Sequence, residues 1–404
     1  MRNIEFSYSI DLLDRGRPKC VIFPQCPWKG TMQFAMKFSK NTVILFAILA
    51  SAATYGQEHD HAQMLRDQAG HDHTRPDSHG PISVMAEHSH SEGEWMLSYR
   101  FMSMDMDGLR RGDEGISSAE AFAANYTVAP TSMRMDMHMF GGMKALSDKN
   151  VLMLMVPYQE IEMDHTIFPM AAPLIALNDG KLGFSTNSSG WGDVKAGILH
   201  TLWSEGGRNV LVAGAVSLPT GSIGEQGIIP GPGGRIDRQL PAPMQLGSGS
   251  YGFRPTVTYN SSYEEWSWGT QTSAIVRLDD NNHGYKLGDS ITTQAWASKP
   301  VSHSLALNGR LAYTYTSQLS GGQSAVGQHP PFAPSRDTVT TAFSKNYGGE
   351  MLTAAIGANF VFNEGPVKGH RLAVELGVPI HQDLYGIQLE TDWTLTIGWQ
   401  LAGR

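Results

Sequence analysis

Charged residues make up only 17% of this 404-residue chain, cysteine occurs twice, and long apolar runs are missing. Each shortage excludes something. The longest candidate run, Val43 to Ala50, falls far short of the roughly 20 residues that a membrane-spanning helix needs. Mean hydropathy is −0.24 although 41% of residues are hydrophobic, a combination that no bundle of membrane helices gives. The formal net charge is −8, with no basic stripe to neutralise phosphates, which excludes nucleic acid as a partner. Both cysteines, Cys20 and Cys26, fall in the first 35 residues; behind them the chain has none to mispair in an oxidising compartment. Catalytic signatures are also lacking. His200, His303 and His381 have no local nucleophile motif, and the glycine-rich stretch 219–249 lacks the lysine and strand–helix context of a phosphate loop. The chain does not read as an enzyme.

What is present begins with an export signal. From Met36, Lys37 and Lys40 form a basic region, Val43 to Ala50 the apolar core, and small residues follow, with cleavage fitting after Ala52, Ala53 or Gly56. A signal of this kind works at an N-terminus, so residues 1–35 read as a leader from a mis-assigned start, 36–56 as the signal peptide. Residues 57–93 are polar, rich in His, Asp, Ser and Gly, and lack apolar periodicity; they read as a disordered, His-rich periplasmic tail. Residues 94–404 form the remaining unit.

That unit alternates polarity with period two. In the last segment Leu389, Thr391, Trp393, Leu395, Ile397, Trp399 and Leu401 share one face, and Glu390, Asp392, Thr394, Thr396, Gly398 and Gln400 the other. The pattern predicts strands near 94–106, 132–146, 150–163, 191–203, 208–218, 251–260, 265–278, 286–298, 304–316, 351–362, 370–381 and 389–401. Short and long connections alternate between them, as in outer-membrane barrels with tight periplasmic turns and long external loops. The expected fold is all-β: a transmembrane antiparallel β-barrel of about 12 strands, both termini periplasmic, seated in outer-membrane lipid and inserted by the barrel-assembly machinery.

Three groups of side chains invite chemistry. The tail carries His59, His61, His71, His73, His79, His88 and His90, imidazoles able to hold Cu or Zn with help from Asp60, Asp72 and Glu87; a solvated spacer is the plainer alternative. Met96, Met102, Met104 and Met106 lie opposite Leu97, Tyr99 and Phe101; facing the lumen, their thioethers could serve a soft metal, and facing lipid they would be plain hydrophobes, a choice the pattern leaves open. Met133, Met135, Met137 and Met139 are expected to face lipid, because Arg134, Asp136, His138 and Lys144 on the other side look like lumen residues. The third group is the set of expected pore-lining charges: Arg100, Arg134, Asp136, His138, Asp193, Lys195, Arg254, Arg277, Arg310, Glu375 and Asp392. An Arg or Lys facing lipid at mid-depth costs about 2–4 kcal/mol, so an inward position is favoured. The lining reads as a constricted pore.

The runs EWMLSYRFMSMDMDG (94–108), VAPTSMRMDMHMFGGM (128–143), SLPTGSI (217–223), PMQLGSGSY (243–251) and KGHRLAVELGVPIHQDLYGIQLETDWTLTIGW (368–399) resemble outer-membrane barrels of the family named for the MetA pathway of phenol degradation. The resemblance implies a transporter of small aromatic or hydrophobic compounds, and its Met- and His-rich branch implies metal handling. It supplies no binding residues. The expected function is thus a channel or transporter for small molecules, hydrophobic compounds or metal ions. The alternatives are a copper- or zinc-binding resistance protein anchored by its barrel and a structural barrel without transport.

Overall fold

The computed structural model describes residues 75–231, 233–330 and 333–403. The leader, the signal peptide, the two cysteines and His59, His61, His71 and His73 lie outside them.

Eleven strands carry the architecture: β1 (Trp95–Gly112), β2 (Tyr126–Ser147), β3 (Asn150–Ile167), β4 (Lys195–Glu205), β5 (Arg208–Ser217), β6 (Gly252–Ser262), β7 (Ser267–Arg277), β8 (Ser290–Pro300), β9 (Leu305–Thr316), β10 (Gly349–Val361) and β11 (His370–Gly403). Each pairs antiparallel with its neighbours in sequence. The circuit closes because β11 also pairs with β1, Leu97 opposite Leu401 and Phe101 opposite Ile397. The 34-residue β11 is a hairpin. Its first part pairs with β10 and its last with β1. Bonds between Gln382 and Thr391, Arg371 and Gln400, and His370 and Trp399 join its two arms. The reversal falls at Gly386, whose φ of 64° suits a residue without Cβ. The wall therefore has twelve staves, closed with no free edge.

Alternation sets the two faces. Leu97, Phe140, Leu154, Ile198, Val257, Leu311, Ile356, Leu376 and Ile397 are exposed on the outside. Between them they girdle the barrel with an apolar belt far larger than a water-soluble surface carries. Phe140, Tyr158 and Trp191 cluster on this exterior, as an aromatic girdle does. No helix among the described residues is long and apolar enough to cross a membrane.

Short turns join β2 to β3, β4 to β5, β6 to β7, β8 to β9 and β10 to β11 at one end, where β1 starts and β11 ends. The long connections gather at the other. There β1 and β2 run further than their sequence pattern suggests, 18 and 22 residues, because past the apolar belt their alternation gives way to a buried cluster in which Leu109, Tyr126 and Ala129 pack with Phe122 and Ile387. A six-residue helix, Ser118–Ala123, turns the chain between them, with Ser117 and Glu120 forming a reciprocal cap. The connection 218–251 folds back over the mouth. Its Leu240, Met244 and Leu246 are buried against Met133, Ile161 and Met163 of the inner wall. Gln159 Nε2 donates to the Leu246 carbonyl and Ser188 Oγ to that of Met244.

Candidate functional site

The stretch expected to be a flexible tail up to residue 93 is, from Arg75 onward, a segment inserted into the lumen from the short-turn end. Ile82, Val84, Glu87, His88 and His90 are buried there. The wall holds it mainly by its backbone. Ser267 Oγ donates to Asp77 O, Asn359 Nδ2 to His79 O at 3.0 Å, and Arg371 Nη2 to Gly80 O at 2.7 Å. Gln271 Nε2 donates to Met85 O at 2.7 Å, Thr258 Oγ1 to Ala86 O at 3.2 Å, and Asn260 Nδ2 to Glu87 O. Six side chains from β6, β7, β10 and β11 thus satisfy six carbonyls that would otherwise be buried and unpaired. Side chains of the segment add to them, Ser83 Oγ donating to Glu375 Oε1 at 2.7 Å and Arg75 Nη2 to Tyr263 O at 2.7 Å. Glu375 also accepts from Arg310 Nη2 at 2.6 Å, and Arg310 donates to Gln294, which donates to Gln271. A polar ladder therefore runs around half the inner wall and ends on the inserted segment.

Opposite that ladder the wall is made of methionine. Directly paired residues of antiparallel strands share a face, and Met96, Met102, Met104 and Met106 of β1 pair with Met143, Met137, Met135 and Met133 of β2. Met143 and Met133 in turn pair with Met153 and Met163 of β3, and Met155 sits opposite Gly141 on the same side. Met139 pairs with the inward Arg100. The expectation that the β2 methionines meet lipid is overturned: they line the lumen. Arg134, Asp136 and His138 are correspondingly outside, not pore-lining. His138 pairs with the outward Phe101 and bonds Tyr99 Oη at 2.8 Å, and Arg134 and Asp136 pair with each other above the aromatic girdle. Charge misled because outward positions past the belt are wet. The sorting is sharp. Leu, Ile, Val and Phe fill the exterior belt, where no methionine appears among the exposed large hydrophobics of the barrel strands.

Asp392 also leaves the lumen. A register shift between Asp105 and Met106 moves Thr391 inward and leaves Asp392 exposed beside Asp105, Asp107 and Glu390. The other expected lining charges fall as follows. Arg100 is buried beside Glu87, and Arg310 is paired with Glu375. Lys195 and Arg277 lie in one row across β4 to β7, with Arg254 on the adjoining row. Asp193 is buried beneath the connection 218–251, where it accepts from Gly221 N and from Ser248 N and Oγ.

Of the tail histidines, His79 and His88 meet at Glu87. His88 Nδ1 lies 2.6 Å and His79 Nδ1 3.7 Å from Glu87 Oε1, and the two rings touch edge to face, with His90 next, also edge to face against His88. One donor atom from each of His79, Glu87 and His88 lies within 4.8 Å of the other two. Burial, reinforced by Arg371, holds the His79 imidazole well below its usual range, so it is neutral. Burial alone would raise the Glu87 carboxyl; the adjoining His88 and His79 imidazoles outweigh it and hold Glu87 well below the usual range. Neutral imidazole and carboxylate suit Zn or Cu(II). Arg100 and Arg371, both within electrostatic reach of Glu87, compete for the carboxylate.

Between the inserted segment and the mouth lies a cavity of about 330 Å³. Met85, Glu87 and His88 form part of its floor, Met96, Met139, Met143, Met153 and Met155 one side, and Lys195, Arg254, Thr256 and Gln294 another.

No protein-family model matches the chain, nor does any curated protein. Among solved structures it is similar to an outer-membrane channel from Pseudomonas putida F1, at 13% identity and a TM-score of 0.50, over 78% of this chain and 97% of that one. The β domain of the Bordetella autotransporter BrkA follows at 10% identity and a TM-score of 0.40, over 77% and 100%. The translocator domain of NalP from Neisseria meningitidis gives 10% and 0.37, over 77% and 89%. The first of these likenesses agrees with the barrel fold described above.

Proposed function

We propose that this protein is a passive channel of the bacterial outer membrane for small solutes, not an enzyme, with both termini in the periplasm and segment 75–93 as its inner obstruction. The observation that carries the reading is the cavity of about 330 Å³ enclosed within a barrel whose exterior is apolar and whose interior is polar or thioether-lined. Such a wall supports a reading with lipid outside and solute inside. Descent from the phenol-degradation family, delivery by a signal peptide and insertion by the barrel-assembly machinery belong to the same proposal. The test is conductance of the purified chain in planar bilayers and solute-driven swelling of liposomes, compared with a variant lacking 57–93. The variant should conduct more than the full chain. A folded barrel that passes no solute in either form would make this a structural barrel instead.

A second reading is favoured by one observation, the convergence of His79, Glu87 and His88. We propose these three as holders of Zn(II) or Cu(II), a latch on the inserted segment more than a cargo site. Calorimetric titration of the detergent-solubilised chain with either ion, compared with H79A/H88A, tests it. Equal heats from both proteins would dismiss the latch.

A further inference from the structure

The lumen contains more positive charge than the chain as a whole would suggest. The net charge of the sequence is −8, yet the residues around the cavity include Arg100, Lys195 and Arg254 against a single carboxylate, Glu87. Glu87 is already engaged by His88 and faces Arg100. On the far side Lys195, Arg254 and Arg277 stand within electrostatic reach of one another and of Asp193. The carboxylates close to them are occupied: Asp193 accepts three hydrogen bonds from Gly221 and Ser248, and Asp289 accepts the Arg277 backbone N–H. The Nε atoms of Arg254 and Arg277 are buried with no protein acceptor among the described residues. Fixed cations in excess, inside a wall of low dielectric, attract anions and repel cations.

The same cavity has a second chemical face. Lys195 is the direct cross-strand neighbour of Met155, so the basic group and the methionine wall meet along the β3–β4 seam. Gly197, Ala213 and Ala215, small residues on the inner face of β4 and β5, leave the room between them. A purely inorganic anion would leave the thioether side unused, and a hydrocarbon would leave two cations unsolvated. An apolar body with one anionic head uses both. The volume is at the small end of ligand sites, which calls for a compact molecule.

We infer that this cavity is a binding subsite for a compact organic monoanion, its carboxylate or equivalent head held by Lys195 and Arg254 and its apolar body lying against Met139, Met143 and Met155. The inference rests on the channel reading and names the solute class. Arginine offers the head a two-pronged contact and lysine a mobile point charge. Methionine adapts its shape to the body where a branched side chain would not.

The test uses benzoate, benzyl alcohol and benzylammonium, three probes of similar size that differ in charge, titrated into the full chain in detergent and followed by calorimetry. Benzoate should bind at least tenfold tighter than the alcohol, and the ammonium least. K195Q/R254Q should abolish the preference for benzoate while leaving the alcohol unchanged; R254K, which keeps the charge, should hold benzoate within about threefold. Heat-dependent mobility in SDS gels reports that each barrel is folded, and the single variants serve if the double one is not. Equal binding of acid and alcohol, tighter binding of the ammonium, or an unaffected double variant would overturn the proposal. Solute flux in liposomes without any benzoate preference sinks this site and spares the channel; benzoate binding with no flux of any solute does the reverse.

Discussion

Removing the wall donors that hold the inserted segment should open the barrel without unfolding it. Asn359 on β10 and Gln271 on β7 donate to two separate carbonyls of the segment, His79 O and Met85 O. Truncating both to alanine deletes these bonds and strands two carbonyls, at about 1–3 kcal/mol each when buried. Water reaches a lumen more readily than a core, so the low end applies, about 2 kcal/mol in total. At about 1.4 kcal/mol per decade, the undocked population should rise roughly 30-fold. Neither residue faces the apolar belt, so barrel stability should move much less. The assay is limited proteolysis of folded protein in liposomes, reading the rate of cleavage within 75–93, in parallel with single-channel conductance. The variant should be nicked about 30-fold faster and spend more time in a high-conducting state. Unchanged cleavage and conductance in a correctly folded N359A/Q271A protein would refute the idea that carbonyl recognition holds the segment.

Other outcomes follow from the same geometry. Gly398 faces Ile82, and a Cβ there would come within 2.5 Å of Ile82 Cδ1; G398A should loosen the segment, and I82A on top of it should recover most of the docking, as a double-mutant cycle of protease sensitivity will read. In E375Q the buried Arg310, only 11% exposed, loses its counter-charge; unfolding in urea should lose about 3–5 kcal/mol, and replacing the pair by R310M/E375L should return much of it. Ile356, 71% exposed on the belt, should tolerate no charge; I356R should lose about 2–4 kcal/mol of folding stability in lipid vesicles, and a loss below about 0.5 kcal/mol would place that strand outside the membrane.

Period-two alternation made the twelve staves legible, because lipid outside and a filled lumen inside impose opposite chemistry on successive residues. The hairpin ends and the tight turns could be read the same way. What alternation could not reveal was which face was which on β2. Arg134, Asp136 and His138 argued for the lumen, but they lie where the exterior is already wet; the better signal was Phe140, in phase with His138, and the matching methionine spacing of β1. Asp392 was misplaced by a register shift, which leaves no mark in composition. The inserted segment was the least legible feature. Its anchors are backbone carbonyls, identical in every residue, and the wall donors that seek them are scattered over more than a hundred positions from Thr258 to Arg371. Only Ile82 and Val84, an apolar pair within a polar stretch, hinted that part of this stretch leaves solvent.

The first and last staves of the wall are hydrogen-bonded partners, and the inserted segment leads straight into the first of them, with Gly93 N already bonded to Ala145 O at the rim. Threading a loop of chain into a finished cylinder would require backing it through a narrow opening. Zipping the N- and C-terminal staves together around a segment already lying along the inner surface requires nothing of the kind.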